Sequence, residues 1–124
     1  MSVAVPIVVM LVAGAAIGFQ SLFAGTIGSR IGIIESAFII HLGGFILAAV
    51  ILVGMRGGSF AAWRTVPWYV YSAGFLGVVI VGAYSYAVSR IGLAPSITLA
   101  IAVQLILSAV LDHYGIPAGH LQVF

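Results

Sequence analysis

The chain has 124 residues, 5% of them charged and 64% hydrophobic, with a mean hydropathy of +1.34. A soluble domain is about a quarter charged and about half apolar, and a domain this small leaves much of its chain at the surface, so the composition excludes a globular protein in water and requires hydrocarbon as the solvent. Four arginines against Glu35 and Asp112, with no lysine, are too few and too scattered for a nucleic-acid footprint, and the absence of cysteine excludes a disulfide framework and thiolate metal sites.

A spanning helix needs about 20 mostly apolar residues. The first such run extends from Val3 to about Ala24, interrupted only by Gln20 and Ser21. Met1 to Val5 carries no basic segment and the apolar run is too long for a signal peptide, so it reads as a retained first span. Pro6 falls in its first turn, where a missing N–H costs little. The stretch Gly25-Thr26-Ile27-Gly28-Ser29-Arg30, with Gly32, reads as a turn. The second run covers about Ile33 to Met55 and carries Glu35, Ser36 and His41. Arg56-Gly57-Gly58-Ser59 breaks the pattern. Phe60 to Val66 then reads as interfacial, with Trp63, Trp68, Tyr69 and Tyr71 clustered at headgroup level as aromatic rings with a polar edge do. Pro67 is placed to open the third span, Trp68 to Val88. Ser89-Arg90-Ile91-Gly92 turns the chain into a fourth, from Leu93 to about Asp112, with Pro95 in its first turn. The tail from His113 holds Gly115, Pro117 and Gly119 and is too short and broken to span. The fold expected is all-α: one integral membrane domain over 1–124, a four-transmembrane-helix bundle with spans of about 3–24, 33–55, 68–88 and 93–112.

An internal repeat organises these spans. Ser29-Arg30-Ile31-Gly32-Ile33-Ile34-Glu35-Ser36 recurs as Ser89-Arg90-Ile91-Gly92-Leu93-Ala94-Pro95-Ser96. Two spans per copy return the chain to its starting side, so the two helix pairs are parallel, not inverted. Arg30 and Arg90 fall on one membrane side and Arg56 and Arg64 on the other, leaving none of the arginine excess that orients a membrane protein. Insertion in both orientations is expected. Antiparallel pairing, as a homodimer or as a heterodimer with a paralogous subunit, would supply the inverted symmetry that one chain lacks. Gly14 and Gly18 form a GxxxG that fits either a dimer face or packing within the chain.

Polar side chains inside the spans are the functional candidates. His41 lies roughly 12 Å into its helix at 1.5 Å per residue, and Gln104 lies near the middle of the fourth. The repeat aligns Gln104 with Gly44, one turn from His41, so the two polar groups share a depth. Gln104 fits an interhelical hydrogen bond or a substrate site. His41 fits a satisfied bundle histidine or a ligand or proton carrier, since an imidazole titrates near physiological pH. Ser96, Gln104, Ser108 and Asp112 recur in multiples of four and form a drifting stripe on the fourth helix, either lining an aqueous path or packing small residues beneath an interfacial acid. Glu35 fits the helix dipole, with Arg30 or Arg90 nearby, or substrate and proton binding. Gln20, Tyr84, Ser85 and Tyr86 lie toward the same side as Glu35 and suit a polar vestibule.

No GxSxG, HExxH or Gly-rich phosphate loop is present, so the sequence reads as neither an enzyme nor a cofactor protein. His41 and His113 differ in depth, which argues against a haem clamp, and Asp112, His113 and His120 are weak grounds for a metal.

The ending Gln104-Leu105-Ile106-Leu107-Ser108-Ala109-Val110-Leu111-Asp112-His113-Tyr114-Gly115 resembles the Q-L-x-x-S-x-x-x-D-H-(F/Y)-G signature of the YdcZ-type family of the drug/metabolite transporter superfamily. Gly18 and Gln20, the His41-Leu42-Gly43-Gly44 stretch and Pro67-Trp68 fit as well. The family pattern has an asparagine four residues after the first-span glutamine, where this chain has Ala24, and a fifth hydrophobic helix after the D-H-x-G, beyond where this sequence ends. The family is similar to the small multidrug resistance transporters. The resemblance therefore implies a multi-pass subunit in the bacterial inner membrane, embedded in the lipid bilayer, that exports a small-molecule substrate by alternating access as a dimer. Gln104, His41, Gln20, Glu35, Tyr84 and Ser108 are the expected pathway. The competing reading is a non-transporting membrane subunit that packs against and stabilises a partner.

Dual insertion has a direct consequence. Reporters fused to the C-terminus, one active only on the cytoplasmic face and one only on the opposite face, should both give signal; signal from one face alone overturns it.

Overall fold

The computed structural model describes residues 2–115; Pro117, Gly119 and His120 lie outside the described residues. Four α-helices follow in order: α1 (Ala4–Ile31), α2 (Ile33–Gly54), α3 (Ala73–Ile91) and α4 (Leu93–His113). There is no strand among the described residues. Each helix is long and apolar enough to cross a membrane, α3 when counted from Trp68. In lipid every backbone N–H and C=O must be paired within the protein, and the helix does this within one segment. Hydroxyls inside the spans follow the same rule by bonding back one turn: Ser21 Oγ donates to the Ile17 carbonyl (2.7 Å), Ser96 Oγ to Gly92 (2.7 Å) and Thr98 Oγ1 to Ala94 (2.8 Å).

The bundle is all-α and carries the two helix pairs that the repeat implies, but the turns are shorter than the sequence suggests. α1 continues through Gly25 to Arg30 and ends at Ile31; α3 continues through Ser89 and Arg90 to Ile91. At about 1.5 Å per residue α1 is about 42 Å long, more than the roughly 30 Å hydrocarbon core, so its polar end stays helical at headgroup level. A single glycine makes each turn. Gly32 (φ 130°, ψ 157°) and Gly92 (φ 90°, ψ 169°) adopt backbone angles that a side chain forbids. Each returns its N–H to the helix it leaves, Gly32 to Gly28 (3.2 Å) and Gly92 to Val88 (3.1 Å). The repeated Ser-Arg-Ile-Gly is thus a helix end, with the arginine in the last turn, where it complements the dipole.

The α2–α3 connection is longer. Arg56, Gly57 and Gly58 all take positive φ (55°, 85° and 51°) and unwind α2. Two short 3-10 turns follow, Phe60–Thr65 and Trp68–Ser72, so the α-helical part of the third span begins at Ala73, five residues later than Pro67-Trp68 led one to expect. Tyr71 Oη donates to the Trp63 carbonyl and holds the two turns together. The Arg64 guanidinium lies 5.2 Å from the centre of the Trp63 ring, a cation–π pair within the exposed aromatic belt.

α1 and α3 form the central pair. α2 packs against both on one flank, and α4 against both on the other. Where α1 meets α3 the contact is made by absent side chains: a Cβ on Gly25 would strike the Val88 side chain, and one on Gly28 would sit 2.7 Å from Ser85 Cβ and 3.1 Å from its carbonyl oxygen. The buried set is small and partly polar, consisting of Ala24, Gly25, Ala37 and Val81 with Ser21, Ser36, Ser85 and Ser96. The large apolar residues face outward, Phe45 71% and Phe75 78% exposed, as a protein dissolved in lipid permits.

Gly28→Ala should therefore force α1 and α3 apart and cost about 1–3 kcal/mol, the range for overpacking. Gly14→Ala, with nothing within 4 Å of the new Cβ, should be neutral or stabilising. Thermal unfolding of the two variants in detergent checks the difference; equal melting temperatures would remove the close approach.

Candidate functional site

The two flanks of the α1–α3 pair are related by the repeat but finished differently. On the α2 flank the groove is filled. Ser36 Oγ donates to the Ala24 carbonyl (3.0 Å), and Ser85 Oγ, 2.8 Å from both Ser36 Oγ and the Val81 carbonyl, shares its one proton between them. Ser36 and Ser85 are fully buried, and the relay ties α1, α2 and α3 at one point. One turn deeper, His41 Nδ1 lies 2.7 Å from the Ala37 carbonyl. A carbonyl only accepts, so Nδ1 carries the proton. Nε2 faces Gly77, where a Cβ would come within 2.8 Å of it; the glycine makes room for the ring.

On the α4 flank the groove stays open. A cavity of about 290 Å³ lies between α1, α3 and α4. Gly14, Ile17, Gly18, Gln20, Ser21 and Ala24 border it from α1, Ile80, Val81 and Tyr84 from α3, and Ile97, Ile101 and Gln104 from α4. Gly14 and Gly18 face open space, so the GxxxG stripe widens a void here and is not a tight contact within the chain. Ser21 spends its proton on its own helix and offers only lone pairs. The Gln20 and Gln104 carboxamides and the Tyr84 hydroxyl form no hydrogen bond with other described residues, and so keep donors and acceptors free. Ala24 also borders the cavity.

Three of the six expected pathway residues thus share one cavity: Gln20, Tyr84 and Gln104. The others lie apart. His41 is on the α2 flank, and its repeat counterpart, Ile101, lines the cavity. Glu35 sits in the first turn of α2 with its carboxylate folded over Gly32. Ser108 is exposed on α4, one turn beyond Gln104, as is Asp112. Of the remaining vestibule residues, Ser85 belongs to the buried relay and Tyr86 lies under the Arg90 guanidinium, 4.8 Å from the ring centre. Ser21, Gly14 and Gly18 were not expected in the site. Their signal was present as a stripe of small residues at helical spacing, 14, 18, 21 and 24, beside Gln20. Among the described residues no three metal-binding side chains cluster, and His120 lies outside them.

No curated protein and no solved structure matches the chain. The family model described as "Putative inner membrane exporter, YdcZ" matches residues 5–122, nearly the whole sequence. With four apolar helices able to cross a bilayer, the chain is a multi-pass inner membrane protein, and it belongs to that exporter family.

Proposed function

We propose that the chain is one subunit of a small-molecule exporter that works by alternating access as a dimer, with cargo held in the cavity between α1, α3 and α4. One observation carries this reading: Gln20, Tyr84 and Gln104, from three helices, face a common void instead of pairing with one another. Polar groups in hydrocarbon are costly and tend to be retained for a pathway, and a concave, mostly apolar site with a few convergent polar groups is how small ligands are held. Family membership supplies the direction of transport.

The dimer rests on symmetry and on polarity. Parallel repeats give one chain no inverted half, and an antiparallel partner, identical or paralogous, would provide it. The balanced arginines leave both orientations open. Gln104 and Ser108 are exposed on a single chain, and a second subunit over α4 would take them out of lipid. In this reading Glu35 and His41 serve coupling and not cargo: His41 Nε2 is the ring nitrogen left to take a proton, and Glu35 stands at the headgroup end of the pathway.

Proteoliposomes loaded with a defined mixture of neutral, cationic and anionic metabolites, with efflux followed by mass spectrometry, test the transport reading. The wild-type protein should release at least one component well above the protein-free rate. Gln104→Ala should slow that component by about three- to tenfold, the loss of one hydrogen bond. Release at the protein-free rate returns the chain to the role of a non-transporting partner subunit, and no slowing in the variant removes Gln104 from the pathway. Since the chain lacks cysteine, a hydrated pathway can be read separately. In vesicles, Gln20→Cys and Gln104→Cys should react with a water-soluble maleimide while Ser85→Cys is protected; protection of all three would make the cavity dry.

A further inference from the structure

The lining of the cavity restricts what it can hold. Its polar groups are two carboxamides, one serine hydroxyl and one phenol, and among the described residues no Asp, Glu, His, Lys or Arg borders it. Both acids of the chain lie elsewhere, Glu35 folded over Gly32 at the start of α2 and Asp112 exposed at the far end of α4, about 12 Å along the helix from Gln104. His41 is on the opposite flank, behind α3. A cation entering this cavity would shed its hydration and meet no opposite charge, and an unpaired ion in a low-dielectric site is strongly disfavoured. An anion would meet no arginine and no helix N-terminus. An uncharged molecule loses much less, and the carboxamides can return to it both kinds of hydrogen bond, since each offers two donors and a carbonyl. The apolar remainder, Ile17, Ile80, Val81, Ile97 and Ile101, suits a hydrocarbon or aromatic body. The volume of about 290 Å³ is at the small end of ligand sites, which run from about 300 to 1,000 Å³.

Resting on the assignment of this cavity as the cargo site, we propose that the cargo is a small uncharged molecule with an apolar body and an amide-like or hydroxyl-bearing polar edge, and that charged molecules are excluded by the absence of a counter-charge. Gln104 is the residue whose neutrality sets this preference, because it projects from α4 at mid-depth opposite Gln20 and Tyr84.

Two probes of nearly one shape separate charge from fit: nicotinamide, which is neutral, and 1-methylnicotinamide, a permanent cation. Both are measured as tritiated ligands by scintillation proximity on the full chain in lipid nanodiscs, wild type and Gln104→Glu, with circular dichroism confirming that both variants are folded. The wild type should bind nicotinamide at least roughly tenfold more tightly than the cation, the effect of an uncompensated charge, and Gln104→Glu should reverse the order. Cation binding by the wild type as tight as that of the neutral probe, weakened by Gln104→Ala, would overturn the charge rule while leaving the cavity as the cargo site. Binding of neither probe by either variant would overturn the cavity assignment itself, and the charge rule with it.

Discussion

The bundle depends on the place where Gly28 lets Ser85 reach α1 and Ser85 in turn meets Ser36. In lipid, apolar side chains gain little by leaving one hydrocarbon surface for another, so helix association rests on close packing and on a few interhelical hydrogen bonds. Gly25 and Gly28 remove the side chains that would hold α1 and α3 apart. The approach they allow brings three hydrogen-bonding groups, the Ala24 carbonyl and two serine hydroxyls, into one fully enclosed relay. Each bond contributes about 0.6 kcal/mol on average in such settings, so the relay acts less by strength than by fixing register. Sliding α2 by one residue would break both interhelical bonds of Ser36, and sliding α3 would break the one it accepts from Ser85.

That register also decides where the cavity is. The repeat gives both flanks the same turn, a glycine at 32 and at 92, and the same serine four residues later, at 36 and 96. The difference lies in what these serines meet. Ser36 finds Ser85 and the Ala24 carbonyl and closes its flank. The counterpart of Ser85 is Gly25, which has no hydroxyl to offer, so Ser96 bonds only to Gly92 of its own turn. With no relay to draw α4 in, its groove remains open deeper along the helix, where Gly14 and Gly18 add no side chain to fill it. A serine in one copy and a glycine in the other thus accompany a sealed contact on one flank and an open groove on the other.

The helices and the repeat are legible in the sequence because lipid imposes one rule, long apolar segments with internal backbone pairing, and composition alone reports it. The single-glycine turns are partly legible: Ser-Arg-Ile-Gly marks the place, but Gly25 and Gly28 look like turn residues until their packing against Val88 and Ser85 is known. Depth is legible too, which is why Gln20, Tyr84 and Gln104 stand out as embedded polar residues. Azimuth is not. Apolar residues surround α1 and α2, so no periodicity tells which side faces a neighbour, and only the helix crossings separate His41 on one flank from Gln104 on the other.

The same packing sorts the helices by how firmly they are held. α1, α2 and α3 share buried residues and the hydroxyl relay, whereas the one buried residue of α4 is Ser96, in its first turn. Beyond Ile97 and Ala100, α4 borders the cavity or faces outward. It is fastened at the glycine end and has few contacts to lose along the rest of its length, and segments with few buried contacts are the ones that open at least cost. A transporter needs a rigid part and a part able to move past it, with the site between them. The proposed site lies on the boundary between the three-helix unit and the fourth helix, with Gln20 and Tyr84 on one wall and Gln104 on the other. Any displacement of α4 about Gly92 would change the distance between those groups, and so the shape of the cavity, without disturbing the serine relay that keeps the rest assembled.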